Sequence, residues 1–186
     1  MGVKGKLVVI SSPSGCGKST VIHELLDRDA TCAYSISMTT REPRGGERHG
    51  VDYFFVDDAT FRQKIDEGTF VEWAEVHGHY YGTSAEQVDA LLNQGRTVLL
   101  DIDVQGGLAI KQLRPEAVLI FLLPPSMDIL ETRLRNRKTD STAVIEARLK
   151  KASQEMAVAD QYDYQVINDD LEDAIASIRA IIDSVH

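Results

Sequence analysis

Cysteine is scarce in this sequence, with only Cys16 and Cys32 among 186 residues. Two cysteines cannot form the several cross-links of a disulfide-stabilised secreted domain. A long hydrophobic run is also missing, since the first apolar stretch, residues 7–10, is too short for a signal peptide and far too short to cross a bilayer. We therefore expect a cytoplasmic protein in a reducing compartment.

Positive charge is in deficit as well. The chain has 20 Lys and Arg residues against 29 Asp and Glu residues, a formal net charge of −9. Proteins that bind nucleic acids or anionic membranes in general carry a basic excess, so we expect neither kind of partner. The length suits one domain with a sizeable core and leaves open whether the chain is a monomer or a homo-oligomer.

Short apolar runs rich in β-branched residues alternate with stretches of helical periodicity. The predicted buried strands are residues 7–10, 97–101, 117–122 and 164–167. The predicted helices are residues 19–26, 84–94, 104–113, 126–135, 142–159 and 171–185. This alternation predicts an α/β fold, a parallel sheet core flanked by helices on both faces.

The segment 37–83 departs from this alternation. Its first part is polar and contains glycine, and short aromatic strand-like pieces follow at 53–55 and 70–73. We interpret it as a small mixed-sheet insert and place Trp73 in the core, while the charged segment 133–148 predicts a mobile, helical lid. The predicted division of the single domain is a core of residues 1–36, 84–130 and 153–186, an insert of 37–83 and a lid of 131–152.

The first predicted strand runs into a loop that ends in Gly-x-Gly-Lys-Ser, the core of a P-loop. Gly15 and Gly17 allow backbone N–H groups to face phosphate oxygens, and the start of the next helix adds a positive dipole end. Lys18 is expected to reach the β- and γ-phosphates and Ser19 to ligate Mg²⁺. The alternative to a phosphate-binding loop is a purely structural, glycine-rich turn between strand and helix.

This P-loop fold predicts residues that bind ATP or GTP, although Ser12 stands where the usual pattern has its first glycine. The predicted ATP-binding residues are Ser12, Pro13, Ser14, Gly15, Cys16, Gly17, Lys18, Ser19 and Thr20. We interpret Cys16 as a small filler; the alternative is a thiol activated by the helix N-terminus.

Two further features point to phosphate chemistry. Arg41 and Arg44 are three residues apart in a loop that contains Pro43, and two neighbouring guanidiniums can grip a dianionic phosphate. If this segment stood alone, a solvated basic loop would be the favoured interpretation. Asp101 ends a predicted strand at the sheet edge where ligands bind in open parallel sheets. That is the place of a Walker B carboxylate near Mg²⁺.

With these residues in view, the sequence resembles the guanylate kinase family, whose signature is Ser-x-Thr-Thr-Arg-x-Pro-Arg-x-Gly-Glu followed by Gly-x-Asp-Tyr. The chain carries Thr39-Thr40-Arg41, Pro43-Arg44, Gly46-Glu47 and Gly50-Val51-Asp52-Tyr53 in register. It also carries Phe70-Val71-Glu72-Trp73, Tyr80-Tyr81-Gly82-Thr83, Asp101-Ile102-Asp103-Val104-Gln105-Gly106, Pro124-Pro125-Ser126 and Asn168-Asp169-Asp170. The resemblance covers about residues 5–185.

The resemblance implies a P-loop nucleoside monophosphate kinase that reversibly transfers a phosphoryl group from Mg-ATP to GMP and dGMP, with Mg²⁺ as cofactor. The GMP-binding residues it implies are Ser37, Arg41, Arg44, Tyr53, Glu72, Tyr81, Gly82, Thr83 and Asp103. The catalytic residues it implies are Lys18, Arg41, Arg133, Arg137 and Arg148, while Asn168 lies near the adenine. Ser19 and Asp101 are the implied metal residues.

Glu72 bears on which base is bound, and Lys18 bears on whether the protein is an enzyme. The carboxylate of Glu72 suits guanine because it can accept hydrogen bonds from N1–H and the 2-amino group, donors that adenine does not offer in that arrangement. For Asp103, a helix cap is the alternative to a contact with guanine. Lys18 argues against a non-catalytic interaction module, and Glu72 against a kinase for another phosphorylated small molecule.

Overall fold

A computed structural model describes residues 5–76, 78–136 and 141–185. The strands are β1 (Lys6–Ser11), β2 (Cys32–Tyr34), β3 (Met38–Thr39), β4 (Phe54–Phe55), β5 (Phe70–Val76), β6 (His79–Ser84), β7 (Thr97–Asp101), β8 (Val118–Leu123) and β9 (Tyr164–Ile167). The α-helices are α1 (Lys18–Arg28), α2 (Asp58–Asp66), α3 (Ala85–Asn93), α4 (Val104–Leu113), α5 (Met127–Asn136), α6 (Thr142–Met156) and α7 (Leu171–Ser184). A short 3-10 helix covers Ala159–Gln161.

The main sheet has five strands in the order β2-β7-β1-β8-β9, and every pair in it is parallel. Ile10 of β1 is in register with Asp101 of β7. The carboxyl ends of these strands therefore lie side by side, which places the loop after β1 next to Asp101. The predicted parallel sheet is confirmed.

Residues that alternate along the strands enter two separate cores. Val9 and Leu100 pack in one cluster with Val88 of α3 and residues of α4. Val8 and Leu99 pack in the other cluster with residues of α1 and α7. The period of two in a strand sends neighbours to opposite faces, so both faces of the sheet are covered by helices, as predicted.

A second sheet, with the order β4-β3-β6-β5, forms the predicted mixed-sheet insert. Strands β3 and β4 are parallel, while β6 is antiparallel to both β3 and β5. Helix α2, which we did not predict, begins where the Asp57 side chain accepts a hydrogen bond from the backbone N of Thr60 at 2.7 Å. Its one buried side chain, Phe61, stacks on Phe70 with ring centroids 4.6 Å apart.

The prediction for Trp73 was wrong, because its side chain is 46% exposed. Its neighbour Glu72 is only 8% exposed. Adjacent residues of a strand point to opposite faces of the sheet, so burial of the carboxylate on one face leaves the indole on the other.

The predicted lid is built around α5 and α6, which pack against the P-loop. Cys16 lies in a small apolar cluster with Leu130 and Leu134 of α5 and with Ile145 and Ala152 of α6. Residues 137–140, between the two helices, lie outside the described part. In the ranges that the structure describes, none of the helices combines the length and the apolarity needed to span a bilayer.

Candidate active site

The P-loop, residues 12–17, joins the end of β1 to the first turn of α1. Gly15 and Gly17 have φ angles of 99° and 84°, in the left-handed region where an L side chain is strained. Residues 12–20 line a cavity of about 440 Å³, named here the P-loop cavity. Backbone amides of a loop and of a helix start around such a cavity are a common phosphate-binding arrangement.

Lys18, the first residue of α1, is paired with the end of β7. Its Nζ lies 2.7 Å from Oδ1 of Asp101 and donates a hydrogen bond to the carbonyl of Ile102 at 3.0 Å. Lys18 also lines the P-loop cavity. The contact of Lys18 with a nucleotide phosphate stays a prediction, which the flexible four-carbon stem of the side chain allows.

Two side chains beside the P-loop carry oxygens of the kind that Mg²⁺ binds. Ser19 and Asp101 line one cavity between α1 and the insert, and hydroxyl and carboxylate oxygens are ligands that Mg²⁺ takes together with waters and substrate phosphates. Over the described ranges, no group of three or more His, Cys, Asp or Glu side chains is placed to hold a metal. The donors therefore do not form a complete protein cage.

Arg41 is fixed inside the insert by its neighbours. Its guanidinium donates to the hydroxyl of Tyr81 at 3.2 Å, to the carbonyl of Glu42 at 2.7 Å and to Oε1 of Glu47 at 2.9 Å. It also lies 5.4 Å from the ring centroid of Tyr53. The hydrogen bond with Glu47 raises the pKa of Arg41 and lowers the pKa of Glu47, so both groups stay charged.

The same carboxylate also holds the backbone of Arg44. Oε2 of Glu47 accepts a hydrogen bond from the Arg44 backbone N at 2.8 Å, while the Arg44 side chain is exposed. One carboxylate thus binds the two arginine-bearing segments of the loop. Arg41, Tyr53 and Tyr81 are brought together, and a contact between Arg44 and phosphate stays a prediction.

Glu72 of β5 is buried against Thr83 of β6. Its Oε1 accepts a hydrogen bond from the Thr83 hydroxyl at 2.7 Å. Burial raises the pKa of Glu72 to about 7, and this rise is partly opposed by the Thr83 hydrogen bond. The carboxylate lines a cavity of about 160 Å³, named here the Glu72 cavity. The other residues around the Glu72 cavity are Ser37, Tyr53, Ala74, Val76, Tyr81, Asp101, Ile102 and Asp103.

Asp103 both caps a helix and lines the cavities. It is the N-cap of α4, where its Oδ1 accepts a hydrogen bond from the backbone N of Gly106 at 2.8 Å. It also lines the P-loop cavity and the Glu72 cavity. The cap that we weighed as an alternative is present, and it engages one carboxylate oxygen, so it does not exclude a contact with guanine through the other.

Gly82 of β6 has a packing role in the structure. A Cβ at this position would lie 2.8 Å from a ring carbon of Phe70 and 3.0 Å from Phe61. The aromatic pair therefore occupies the space that a side chain would need. The expected contact between Gly82 and GMP stays a prediction.

Two lid arginines, Arg133 and Arg148, are hydrogen-bonded at or beside the P-loop. Arg133 donates to the backbone carbonyls of Asn168 at 3.0 Å and Asp169 at 3.5 Å. Arg148 donates to the hydroxyl of Ser14 at 2.5 Å. Arg148 is thus already at the P-loop, whereas Arg133 would have to release these carbonyls to reach a phosphate.

The two remaining lid arginines are Arg135 and Arg137. Arg135 pairs with Glu131 at 2.6 Å on the surface of α5 and is 46% exposed, which confirms its placement on a solvated face. Arg137, which we expected to be catalytic, lies outside the described residues.

The side chain of Asn168 is hydrogen-bonded to the backbone of the P-loop. Its Nδ2 donates to the carbonyl of Cys16 at 2.6 Å, and a Cβ on Gly17 would lie 2.8 Å from the same nitrogen. Asn168 also lines a cavity of about 430 Å³ with Thr20, Arg133, Asn136, Asp169, Leu171 and the two P-loop glycines. This cavity is beside the P-loop, and the expected contact between Asn168 and the adenine of ATP stays a prediction.

Sequence reasoning missed two residues of α6 at the P-loop cavity. Lys151 and Glu155 line it opposite the loop, and burial raises the pKa of Glu155. A charged i,i+4 pair on a helix resembles any solvated face, so the sequence carried no signal for them. Cys16 is fully buried, and burial raises the pKa of its thiol to about 12, which argues against an activated thiol.

The P-loop cavity and the Glu72 cavity share part of their walls. Tyr53, Val76 and Asp103 line both of them. A phosphate seated on the P-loop and a ligand seated on Glu72 and Arg41 would therefore face each other across Tyr53. The arrangement can bring a phosphoryl donor and a phosphorylated acceptor together.

Comparisons with known proteins agree with this geometry. The family model described as guanylate kinase matches residues 4–185. A guanylate kinase of Myxococcus xanthus is 52% identical over 180 residues, which are 96% of this chain and 86% of that protein. A guanylate kinase of Carboxydothermus hydrogenoformans is 47% identical over 179 residues, covering 96% and 88%. The crystal structure of guanylate kinase from Anaplasma phagocytophilum superposes with a TM-score of 0.82 at 34% identity, covering 99% of this chain and 87% of that one.

Proposed function

We propose how the residues of this chain divide the phosphoryl transfer from ATP to GMP among them. The chain belongs to the guanylate kinase family, which carries out that reaction. The observation that carries the assignment is the shared wall of the two cavities, formed by Tyr53, Val76 and Asp103. It lets two nucleotides meet end to end, with the acceptor phosphate beside the donor phosphates.

ATP binds with its phosphates on the P-loop amides and its adenine in the cavity beside Asn168. Lys18 leaves Asp101 and binds the β- and γ-phosphates. The exchange is favourable because the Lys18 side chain is only 18% exposed and already lines the P-loop cavity, so a more highly charged partner replaces the carboxylate with little added desolvation.

The acceptor phosphate binds at Arg41, with the hydroxyls of Tyr53 and Tyr81 and the guanidinium of Arg44 completing the site. Arg41 is preorganised by Glu47 and Tyr81, so little side-chain entropy is lost when the phosphate arrives. The acceptor is already an anion, and no general base is required. Catalysis consists of positioning and of charge stabilisation.

Guanine binds in the Glu72 cavity. Glu72 accepts from N1–H and the 2-amino group, Ser37 and Asp103 complete the polar rim, and the Thr83 hydroxyl holds the carboxylate. Adenine would leave the buried carboxylate without donors, at a loss of several powers of ten in kcat/KM. The sugar 2′-hydroxyl is not part of this recognition, so we expect dGMP to be accepted as well.

Mg²⁺ is the cofactor that the donor set at Ser19 and Asp101 fits. Ser19 would ligate the ion, and Asp101 would hold one of its waters once Lys18 has moved to the phosphates. When bound, the ion supplies positive charge at the phosphate oxygens. The protein's own part is to hold these two oxygens on adjacent elements, β7 and α1.

The lid and the insert close over both nucleotides, with residues 1–36, 84–130 and 153–186 as the fixed core. Arg133, Arg137 and Arg148 then stabilise the charge of the transferred group and exclude water. We assign the reaction to purine nucleotide metabolism in the cytoplasm, where both substrates are supplied, with no nucleic-acid partner. The two free cysteines are compatible with a reducing compartment.

The test is a coupled assay of ADP release with GMP, dGMP, AMP, CMP and UMP as acceptors. We expect a large preference for the guanine pair, and comparable rates with AMP or CMP would contradict the base assignment. Lys18→Ala should lower kcat with every acceptor, by on the order of a thousandfold. Lys64→Ala, on α2 of the insert, is the control and should retain wild-type turnover.

A further inference from the structure

Gly106 is a buried glycine in the first turn of α4, a place where the backbone does not demand it. Its φ is not positive, since it is absent from the positive-φ glycines of the described residues, and its backbone N donates to Oδ1 of Asp103 as in any capped helix. Glycine is a weaker helix former than alanine, so helix propensity does not favour it at this position. Space, and not backbone conformation, must explain the residue.

The space beside Gly106 is occupied by the carboxylate of Glu72. A Cβ at position 106 would lie 2.8 Å from Oε2 of Glu72, 3.4 Å from its Cδ and 3.4 Å from Oδ1 of Asp103. The first distance is shorter than a van der Waals contact. The bare backbone of α4 therefore forms the surface on which the Glu72 carboxylate rests.

Glu72 cannot move aside without a loss. Its side chain is 8% exposed, and its Oε1 is held by the Thr83 hydroxyl at 2.7 Å. A methyl group at position 106 would rotate the carboxylate, which either breaks the hydrogen bond with Thr83 or turns the oxygens out of the plane in which they face the Glu72 cavity. Bidentate recognition depends on that plane.

We propose that Gly106 is a positioning residue for base specificity: by leaving out a side chain, it sets the orientation in which Glu72 receives the two donors of guanine. This inference rests on the proposed function, because it assumes that guanine binds at Glu72. Besides being capped by Asp103, α4 then has a second role. Its backbone at Gly106 holds one oxygen of the base-reading carboxylate, while Thr83 holds the other.

The test compares Gly106→Ala with the wild-type protein in steady-state kinetics with GMP and IMP. IMP has N1–H but lacks the 2-amino group, so the ratio of kcat/KM for GMP to that for IMP reports the second hydrogen bond to Glu72. We expect Gly106→Ala to raise KM for GMP about tenfold and to lower this ratio about tenfold, which is the loss of one well-placed hydrogen bond to a charged group. KM for ATP should change less than about twofold.

The control is Gln105→Ala, an exposed position of the same turn, which should leave both acceptors unchanged. Wild-type turnover of GMP tests the proposed function itself, so a failure there is distinct from a failure of this inference. A Gly106→Ala protein whose GMP constants and GMP-to-IMP ratio stay within about twofold of the wild type would overturn the inference.

A double-mutant cycle with Glu72→Asp provides the second arm. The shorter aspartate side chain vacates the space that the new methyl group needs, so the penalty of Glu72→Asp should be smaller in the Gly106→Ala background than in the wild type. If Gly106→Ala alone fails to fold, the double variant should still fold, because the space that the methyl group needs has been vacated. Additive effects of the two substitutions would contradict direct contact between the two positions.

Discussion

Replacing Glu72 by Gln should stabilise the free protein at neutral pH while it weakens the binding of GMP. Glu72 is 8% exposed, and burial raises its pKa from 4.5 to about 7 in spite of the hydrogen bond from Thr83. The folded protein therefore carries a charge that is held in an unfavourable place. In the proposed site, guanine would supply donors to that charge and so recover part of this free energy.

The sign and size of the effect follow from proton linkage. Between pH 4.5 and about 7 the folded state binds more protons at Glu72 than the unfolded state, so this residue makes stability fall as pH rises through that window. The difference between these two pKa values corresponds to about 3 kcal/mol, and the loss is complete above about pH 7. Gln carries no charge, so the variant does not lose this stability.

The assay is urea unfolding of both proteins at several pH values from about 4.5 to 8. The free energy of unfolding of Glu72→Gln minus that of the wild type should rise by about 3 kcal/mol across this range. Glu75→Gln, an exposed residue of the same strand, is the matched control and should give a difference that does not change with pH. A pH-independent difference for Glu72→Gln would refute the reasoning.

Three further predictions concern single contacts. Thr83→Val removes the hydrogen bond that lowers the Glu72 pKa, so the acidic limb of the kcat/KM profile for GMP should move to higher pH; an unmoved limb would contradict the assignment. Glu47→Gln weakens the charge-assisted bond to Arg41 and should raise KM for GMP about tenfold with KM for ATP unchanged, whereas equal changes in both constants would point to general damage. Cys16, fully buried with a pKa of about 12, should react with N-ethylmaleimide only after denaturation, and fast labelling of the native protein, followed by mass spectrometry, would disprove this.

The strands and helices of the core could be predicted because their patterns are strong. The predicted residues 97–101 and 104–113 coincide with β7 and α4, one an apolar β-branched run and the other a stretch of helical periodicity. Helix α2 was not predicted because it buries a single side chain, Phe61, and so has almost no apolar periodicity. Strand β2 has three residues, too few for a period to be visible.

The site could be predicted as a set of residues but not as an arrangement. The glycines of the P-loop have the positive φ angles that the motif requires. Nothing in the sequence indicates that Lys18 lies on Asp101 or that Arg133 lies on the carbonyl of Asn168, because these pairs depend on how separate elements meet in space. The burial of Glu72 beside an exposed Trp73 likewise depends on which face of β5 the core covers.

Two anion sites that face each other across Tyr53 are the central feature of the proposed reaction. The most direct measurement is inhibition by a bisubstrate analogue in which adenosine and guanosine are joined by a polyphosphate chain. The shared cavity wall predicts that the analogue binds once per chain and is competitive against both ATP and GMP. An analogue that competes with only one of the two substrates, and leaves the binding of the other unchanged, would contradict the account.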